Sequence, residues 1–421
     1  MVILMHYDII VVGGGFAGAA AAISAARQGA KVLIIEKSNC LGGAASVNLV
    51  MPFMKNRTVI DEAPYQLSGG IFNEILSELE VFNKTRNRIS FHDEYLKLVL
   101  NRMALNAGVE LLFNSLVTSA EKEQGKIKSI TVCGKGNTYE FSADYFIDAT
   151  GDANLIKMAD FPFKLGREKD NLCQPMTLCF RVANVDFKKF DEEKPLINPL
   201  YEKYKEEGKI KNPRENVLIF KTMVDGLLHF NTTRIVRLDP TDIFQVTKAE
   251  IESREQVFEV FDFLKDNFSA FQNAELVTTA IEIGVRESRM IEGEYTLTGD
   301  EIKKCARFDD SIATGNYDID IHNPEGSGTS HYFFPPGEYY EIPYRCLIPK
   351  NSENLLVAGR CLSADSTAAG AVRVMPPCMA MGQAAGCAAA IAVIQNKKVS
   401  EVEYDELCKA LTSLGAIVPE N

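Results

Sequence analysis

The N-terminal part of the chain has a sequence pattern that few folds can accommodate. Residues 7–12 are a continuous apolar run, which predicts a strand covered on both faces. A glycine-rich turn follows, and the alanine-rich residues 15–28 predict a helix that Gly29 closes in the left-handed conformation. Residues 31–35 predict a second buried strand. A strand, a tight turn, a helix and a strand in this order predict an α/β fold built on a parallel sheet.

The turn itself, G-G-G-F-A-G at residues 13–18, has the spacing of a dinucleotide-binding turn. We expect Gly13 to allow the tight turn, Gly15 to let backbone approach a pyrophosphate, and Gly18 to let the helix pack closely. Glu36 lies 18 residues after Gly18, where a carboxylate binds ribose hydroxyls and repels a 2′-phosphate. The pattern therefore favours NAD or FAD over NADP, and the turn alone does not separate the first two.

The composition limits the class of protein. The chain has 421 residues, of which 46% are hydrophobic and 24% charged, as is typical of a folded protein of two domains. The formal net charge of −12 disfavours nucleic acid as a partner. The 10 cysteines form no C-x-x-C pair, so we expect no metal site, and their scattered positions fit a reducing cytoplasm.

Two apolar segments raise the question of a membrane. Residues 1–5 are apolar, but they carry no basic residue and a polar stretch follows them, so we expect no signal peptide. Residues 376–394 are rich in alanine and glycine and contain Gln383, which favours a helix buried in protein over a membrane span. We therefore predict a cytoplasmic protein without membrane insertion.

After the first unit the α/β pattern continues, with a meander added. Residues 93–106 have the apolar spacing of a helix, and residues 109–113 predict a third parallel strand. Three alternating runs separated by glycine turns predict an antiparallel meander at 117–122, 126–133 and 138–141. Another buried strand is expected at 145–149.

The middle of the chain changes character and becomes richer in charge. Polar strands are expected at 177–185 and 217–223, and a helix at 240–268. Thr298 and Glu301 have the spacing of a capping box, which predicts the start of another helix. Nothing in this part repeats the N-terminal pattern, so we interpret it as an inserted domain.

From about residue 343 the chain again has the pattern of its N-terminal part. A buried strand is expected at 355–358, and a long helix begins at Pro376. We therefore divide the chain into three parts. These are a first domain part at 1–159, an inserted α+β substrate domain at 160–340, and the C-terminal part of the first domain at 341–421.

Six segments together resemble a known family. They are EKSNCLGGAAS (36–46), FIDATGDANL (146–155), IGVRESRMIEGEYTL (283–297), IDIHNPEG (319–326), IPYRCLIP (342–349) and NLLVAGRCLSADSTAAGAVRVMPPCMAMGQAAGCAAA (354–390). The chain resembles flavoproteins of the two-dinucleotide-binding-domain superfamily, which have the glutathione-reductase-like FAD fold. More narrowly, it resembles the bacterial FAD-dependent oxidoreductase family, whose flavin domain is related to that of fumarate reductase. The resemblance implies a Rossmann-like FAD-binding domain with a β-meander and FAD as the cofactor.

The resemblance also implies which residues contact FAD. Those of the first turn and the strand after it would hold the ADP half: Gly13, Gly15, Phe16, Ala17, Gly18, Glu36 and Lys37. The second turn would present backbone N–H groups to the pyrophosphate and ribityl region: Gly42, Gly43 and Ala44. Val117 would meet adenine through its backbone. The remaining contacts would lie at the pyrophosphate, the ribityl chain and the flavin ring: Ala149, Gly151, Asp152, Gly359, Arg360, Gly382 and Gln383.

One position departs from the pattern of the superfamily. Many relatives carry an acid directly after the glycine of the late strand, where it binds ribityl hydroxyls, but Gly359 is followed by Arg360. Either Asp365 takes that role or backbone groups do. Arg360 or Arg373 near the start of the long helix could instead stabilise negative charge on the reduced flavin, or both could be surface ion pairs.

Hydride transfer needs a bound substrate and a group that moves a proton. Arg286 and Arg289 could clamp a carboxylate substrate, or they could pair with Glu282 or Glu287 instead. The candidate proton donors and further substrate contacts are His322, His331, Tyr340 and Arg345.

Two absences narrow the function. No C-x-x-x-x-C motif and no second G-x-G-x-x-G with strand and helix flanks occur in the sequence. We therefore predict an FAD enzyme that transfers hydride between flavin and a small organic substrate, one that could carry a carboxylate. The alternative is a flavin-bearing electron-transfer subunit with a separate redox partner protein. An NAD-dependent dehydrogenase fits the meander and the A-T-G-D segment less well, and the oligomeric state stays open.

Overall fold

The computed structural model describes residues 5–419, so most of the segment on which the signal-peptide prediction rests lies outside the described residues. The described part contains 10 α-helices: Phe16–Arg27 (α1), Ile71–Val81 (α2), Asp93–Asn106 (α3), Asn154–Met158 (α4), Phe187–Glu206 (α5), Ile243–Asn267 (α6), Gly299–Lys303 (α7), Ser366–Val372 (α8), Met375–Gln395 (α9) and Tyr404–Ser413 (α10).

The strands of residues 5–419 fall into one large sheet and several small ones. The first half of the chain holds Met5–Val12 (β1), Val32–Ile35 (β2), Arg57–Ile60 (β3), Ala63–Gln66 (β4), Thr85–Arg86 (β5), Ser90–Phe91 (β6), Glu110–Leu112 (β7), Leu116–Glu123 (β8), Lys126–Gly134 (β9), Asn137–Asp148 (β10) and Phe163–Leu165 (β11). The second half holds Phe180–Ala183 (β12), Ile219–Lys221 (β13), Leu228–Phe230 (β14), Glu275–Thr279 (β15), Arg289–Ile291 (β16), Ser311–Gly315 (β17), Ile319–His322 (β18), Thr329–Tyr332 (β19), Tyr340–Pro343 (β20) and Leu355–Val357 (β21).

The large sheet has seven strands in the order β7-β2-β1-β10-β9-β8, with β21 also paired to β10. The pairs β7–β2, β2–β1, β1–β10 and β10–β21 are parallel, whereas β10–β9 and β9–β8 are antiparallel. The predicted parallel α/β sheet with an added meander is therefore confirmed. The carboxyl ends of the parallel strands lie at one edge, where ligands bind in folds of this kind.

Strand β10 joins the meander to the parallel part of the sheet. Its first residues pair with β9 and its last with β21, while the length from Phe141 to Asp148 pairs with β1. The sequence predicts two strands here, at 138–141 and 145–149, and this is wrong because a single strand runs from Asn137 to Asp148.

Five helices of the described residues escape the sequence prediction: the short helices α4, α8 and α10, and the longer α2 and α5. Helix α2 lies in the stretch after Ser46 for which no helix is expected, although Ile71, Ile75 and Leu79 bury one face of it. Helix α5 begins at Asp186, whose side chain accepts hydrogen bonds from two backbone N–H groups. Its two internal prolines, Pro195 and Pro199, hide it from a propensity argument.

Buried side chains form three clusters. One lies on the α1 side of the large sheet and includes residues of α1, α2, α3, α9 and the segment 297–348. A second covers the other sheet face with the meander and α4. The third belongs to the middle of the chain, from Met176 to Ile283, around the four-stranded sheet β13-β14-β12-β15 and helices α5 and α6. The domain limits at 159 and 340 stay a prediction.

Helix α9 is the most deeply placed long helix of the described residues. It begins with Pro376 and Pro377 in its first turn, as the sequence predicts, and it packs along α1. In length and composition α9 could cross a membrane, but 83% of its most apolar window is buried inside the protein. The expectation of a helix buried in protein agrees with this.

Candidate cofactor and substrate cleft

A cleft of about 580 Å³ opens at the carboxyl edge of the parallel strands. One wall consists of the turn after β1, the segment after β10 and the turn after β21. The opposite wall comes from the middle of the chain and from the β18–β19 hairpin. The volume lies in the range of roughly 300–1,000 Å³ that small-molecule and cofactor sites occupy. The cleft is therefore the candidate functional site.

The three glycines of the first turn have different surroundings. Gly13 has a φ of +101°, and a Cβ there would lie 2.5 Å from the carbonyl oxygen of Ala149. A Cβ at Gly18 would collide with the carbonyl oxygen of Gly13. At Gly15 a Cβ would meet nothing within 4 Å, because this residue faces the open cleft. The space in front of Gly15 is thus left free for a ligand.

Helix α1 starts directly at this turn. Its N-cap, Gly15, offers no side-chain hydrogen bond, and Phe16 and Ala17 line the cleft. The first N–H groups of a helix have no partner within the helix, and the positive end of its dipole attracts anions. The open space and the free N–H groups together would accommodate a pyrophosphate.

Glu36 lies beside the same turn and is only 8% exposed. Its Oε2 accepts a hydrogen bond from the N–H of Gly14 at 2.5 Å, and its Oε1 accepts bonds from the N–H and the hydroxyl of Ser38 at 2.8 and 2.6 Å. Glu36 lines both the cleft and a side recess of about 80 Å³, which Val117 also lines. The carboxylate thus stands where the cleft and the recess meet.

The second glycine turn touches the first. The N–H of Gly42 donates to the carbonyl of Gly14 at 2.8 Å, and Gly42 does not line the cleft. The prediction that this N–H faces the pyrophosphate is wrong for Gly42, because the N–H already donates the hydrogen bond that joins the two turns. Gly43 and Ala44 do line the cleft.

Arg360 forms an ion pair inside the cleft. Its Nη2 lies 2.8 Å from Asp152 Oδ1, and Ser288 donates to the same oxygen at 2.6 Å. Burial raises the pKa of Asp152, but Arg360 and the Ser288 hydroxyl outweigh it and hold the pKa below its usual value. Ala149 and Gly151 line the cleft beside this pair, and Gly359 lines it next to Arg360. At the mouth, Lys37 pairs with Glu282 at 2.5 Å.

Besides Gly42, three more predicted cofactor contacts lie outside the cleft. Asp365 caps α8, since its Oδ1 accepts from the N–H of Ala368 at 2.7 Å and its Oδ2 accepts from that of Gly299 at 2.9 Å. The missing Cβ of Gly382 makes room for the carbonyl of Ala17 at the α1–α9 contact. None of these residues lines the cleft, so the structure does not support Asp365 as the ribityl acid.

Gln383 is the third misplaced contact. Its side chain accepts from the N–H of Ile71 at 3.1 Å and donates to the carbonyl of Leu414 at 3.3 Å. The part of α9 that faces the cleft is its N-terminus instead, through Met375 and Cys378, with Val374 before them.

Arg286 lies on the opposite wall, among neutral oxygens. Its Nη1 donates to the carbonyl of Pro175 at 2.7 Å and to the hydroxyl of Thr177 at 2.6 Å, and Nη2 lies 3.4 Å from Asn231 Oδ1. No carboxylate of residues 5–419 forms an ion pair with it, so the alternative pairing with Glu282 or Glu287 is not found. Burial and the neighbouring guanidinium groups of Arg373 and Arg214 lower the pKa of Arg286 to about 9.

Asp320 is a buried carboxylate of the same wall. Its Oδ2 accepts from Tyr317 at 3.0 Å, contacts His322 Nε2 at 3.2 Å and contacts Arg373 Nη2 at 3.4 Å. Burial would raise the pKa of Asp320, but the hydrogen bond from His322 and the charge of Arg373 hold it well below its usual range. Asp320 therefore stays ionised.

His322 is buried between Asp320 and two guanidinium groups. Its Nδ1 lies 2.9 Å from Arg234 Nη2 and 3.3 Å from Arg214 Nη1. Burial and the charge of Arg286 lower the pKa of His322 to about 2. A neutral imidazole with both nitrogens engaged does not suit the predicted role of proton donor.

Of the remaining predicted catalytic and substrate-binding residues, one lines the cleft and three lie outside it. His331 lines the cleft, is partly exposed and stacks on Phe333. Arg345 lies outside, where it pairs with Asp310 at 2.9 Å. Tyr340 is fully buried and donates to the carbonyl of Ala371 at 3.0 Å. Arg289 binds the carbonyl of Asp152 at 2.9 Å, behind the cleft wall.

The wall opposite the glycine turns is called the inner wall below. Sequence reasoning missed several of its polar residues: Thr177, Arg214, Asn231, Tyr317 and Asp320. Asp320 stands two residues before His322 in a segment that was already singled out, so alternation along a strand could have found it. Arg214 and Asn231 lie in no motif, and only the fold brings them to the cleft.

Comparisons with known proteins agree with a flavin site. The sequence model of a family described as "FAD dependent oxidoreductase" matches residues 8–411. No curated protein sequence matches the chain.

Three solved structures match the chain at low sequence identity and with TM-scores below 0.5. A geranylgeranyl bacteriochlorophyll reductase-like protein from Thermoplasma acidophilum is 13% identical, with 98% of this chain and 84% of that chain covered and a TM-score of 0.46. The flavin-dependent brominase Bmp2 is 13% identical, with coverages of 96% and 84% and a TM-score of 0.48. The p-nitrophenol 4-monooxygenase PnpA from Pseudomonas putida DLL-E4 is 11% identical, with coverages of 97% and 84% and a TM-score of 0.47. Likeness at this level carries no argument about activity.

Proposed function

From the premise that the chain belongs to the FAD-dependent oxidoreductase family, we propose that it transfers hydride between bound FAD and a small organic substrate that carries a carboxylate. FAD is the cofactor of this enzyme, and when bound it accepts or donates the hydride. The observation that carries the substrate class is Arg286, whose half-buried guanidinium faces the cleft with neutral oxygens as its hydrogen-bond partners.

The residues of the first wall fit an FAD molecule. The open space at Gly15 and the N-terminus of α1 would hold the pyrophosphate. Glu36 would hold the ribose hydroxyls at the entrance of the recess, and Val117 would border adenine inside it. Arg360 and the N-terminus of α9 would border the other half of the cofactor. Negative charge that develops there would be stabilised by both.

The opposite wall would bind the substrate. Arg286 is held in place by Thr177 and the carbonyl of Pro175, which leaves other guanidinium N–H groups for a carboxylate. Arg214 and Arg373 add positive charge, and Asp320 and Glu215 are acids that line the cleft near them. A carboxylate bound here would relieve the repulsion that lowers the pKa of Arg286.

The two proposed domains would have different roles, one in cofactor binding and the other in substrate binding. We propose a flavin domain of the glutathione-reductase type, related to that of fumarate reductase, formed by residues 1–159 and 341–421. The insert at 160–340 would supply the substrate wall, since Arg214, Asn231 and Arg286 come from it. The 10 cysteines are all free thiols, which supports a location in the reducing cytoplasm.

The first test is the cofactor itself. The purified protein should be yellow, and acid release followed by chromatography should give FAD. Release of NAD, or of FMN alone, would contradict the assignment of the cleft.

The second test is the substrate class. Anaerobic protein is mixed with a panel of small organic acids, each beside its neutral amide, and the flavin absorbance is followed. We expect bleaching by acids and not by their amides, because Arg286 needs an anion. Bleaching by a reduced partner protein alone would favour the electron-transfer subunit instead.

A further inference from the structure

We propose that His322 is a positioning residue, a neutral spacer that keeps Arg214 and Arg234 apart from Asp320 so that the inner wall stays positive toward the substrate. This inference rests on the proposed function, because the substrate it serves is the carboxylate assigned to Arg286.

The hydrogen bonds fix the protonation state of the imidazole. Nδ1 receives the guanidinium N–H groups of Arg234 at 2.9 Å and of Arg214 at 3.3 Å. A ring nitrogen that accepts from a guanidinium carries no proton of its own, because arginine only donates. The ring proton is therefore on Nε2, where it is donated to Asp320 Oδ2 at 3.2 Å.

The surroundings hold the ring in this orientation. His322 is only 5% exposed, and its backbone N–H donates to the side chain of Gln174 at 3.2 Å. The hydroxyl of Thr329 lies 3.1 Å from Nδ1 and donates to Glu215 at 2.8 Å. Glu215 also pairs with Arg234 at 3.2 Å, so this guanidinium is anchored from a second side.

The charges around the ring explain why a spacer matters. Arg214, Arg234, Arg286 and Arg373 are the guanidinium groups that face this group from the neighbouring elements, and Asp320 and Glu215 are the acids. On the far side of Asp320 lie His331, with its Nδ1 3.8 Å from Asp320 Oδ1, and the hydroxyl of Tyr317. Without the imidazole, a guanidinium could reach Asp320 directly and form an ion pair. Asp320 would then release Arg373 and Tyr317, and the guanidinium groups that face the substrate would leave their positions.

A spacer and a proton donor predict different behaviour. A histidine that donates its proton must change charge during turnover, so its removal abolishes the pH dependence that it causes. A spacer stays neutral, so binding does not change with pH around it. A side chain with one acceptor and one donor should also replace it.

The experiment uses the FAD-loaded enzyme and acetate as the probe. Acetate is titrated at constant ionic strength set with KCl, and the perturbation of the flavin absorbance gives a dissociation constant. We expect His322→Leu to weaken acetate binding by about tenfold or more, because the guanidinium groups collapse onto Asp320. His322→Gln should stay within about threefold of the wild type, since its amide offers one acceptor and one donor. Both variants should retain FAD.

The outcomes separate the spacer from the site. Wild-type binding in His322→Leu, or binding as weak in His322→Gln as in His322→Leu, would overturn the spacer role alone. A wild-type enzyme that holds FAD but shows no effect of acetate would refute the carboxylate site as well.

Discussion

Gly15 and Gly18 stand three residues apart in the same turn, yet they lack a side chain for different reasons. A Cβ at Gly18 would run into the backbone of Gly13, so the fold itself requires the glycine. A Cβ at Gly15 would meet open space, and the backbone there has a φ of −63° that any residue can adopt. The missing side chain at Gly15 is therefore consistent with the proposed approach of the cofactor to this backbone.

This contrast gives a prediction for Gly15→Ala. The variant should fold and lose at most about 1 kcal/mol, the usual cost of alanine for glycine at a helix N-cap. It should hold FAD at least about tenfold more weakly, because the methyl group takes the space of the pyrophosphate. Flavin occupancy after dialysis and the melting temperature of the apoprotein measure the two effects. Full occupancy in Gly15→Ala would contradict the assignment of the turn.

Arg286 gives a prediction at the opposite wall. Arg286→Ala should weaken binding of a carboxylate ligand by roughly 10- to 100-fold, since a hydrogen bond to a charged group contributes about 1.5–3 kcal/mol. The content of FAD should not change. Arg345→Ala is the matched control, because Arg345 forms an exposed ion pair with Asp310 outside the cleft. Loss of FAD from Arg286→Ala, with normal folding, would make it a cofactor contact instead.

At the scale of elements, the contact between α1 and α9 positions the cofactor wall. Gly382 and Gly386 lie one turn apart on α9 and face the carbonyls of Ala17 and Ala21 on α1. The absence of side chains lets the two backbones touch. Because Ala17 also lines the cleft, this contact sets the position of the α1 N-terminus.

Gly382→Ala should therefore destabilise the protein by about 1–3 kcal/mol, the usual cost of added volume in a packed core. Denaturant unfolding of the apoprotein measures this free energy. Gly326→Ala is the control, because a Cβ there would meet nothing within 4 Å. A difference below about 0.5 kcal/mol between the two variants would show that the helices can move apart freely.

The elements with strong local signals were predictable. The first strand, turn and helix, the helix α3 and the long α9 all follow from apolar spacing and from their caps or prolines. Asp365 and Gln383 were assigned to the wrong partners, because an acid after a strand looks the same whether it caps a helix or binds a ribityl chain. Only the positions of α8 and α2 decide between these roles.

At the scale of the whole molecule, two buried neutral histidines link stability to pH. Burial and the charge of Arg286 lower the pKa of His322 to about 2, and burial and Arg181 lower that of His229 to about 3. Both values lie below the value of about 6.5 in an unfolded chain. At a pH between the folded and unfolded values, these two histidines therefore bind a proton in the unfolded chain and not in the folded protein.

We expect the contribution of these two histidines to the free energy of unfolding to be fully present above pH 6.5 and to decrease as the pH falls below that value. Each histidine should lower the free energy of unfolding by about 2 kcal/mol as the pH falls from 6.5 to 4.5. Carboxylates whose pKa differs between the folded and unfolded states also change this free energy. His229→Leu should reduce this slope, because neither ring nitrogen of His229 has a hydrogen-bond partner among the described residues. The exposed His6 gives the control variant His6→Leu. An equal slope in wild type and His229→Leu would contradict the prediction.

The two walls of the cleft differ in how far the sequence foretells them. The cofactor wall is built from turns whose glycines and Glu36 have a fixed spacing, so the dinucleotide site could be predicted. The inner wall gathers Arg214, Arg286, Asp320 and Arg373 from four distant segments. No spacing along the chain encodes their meeting, which depends on how the middle of the chain packs over the sheet edge.

The distance along the chain between the two halves of the cofactor wall has a consequence for synthesis. Chains emerge from the ribosome N-terminus first, and Gly13 leaves it more than 340 residues before Gly359. Until then α1 lacks α9, and β10 lacks β21 as its neighbour. We expect FAD to be captured only after translation is nearly complete, so that the nascent chain must be protected from aggregation without help from its cofactor.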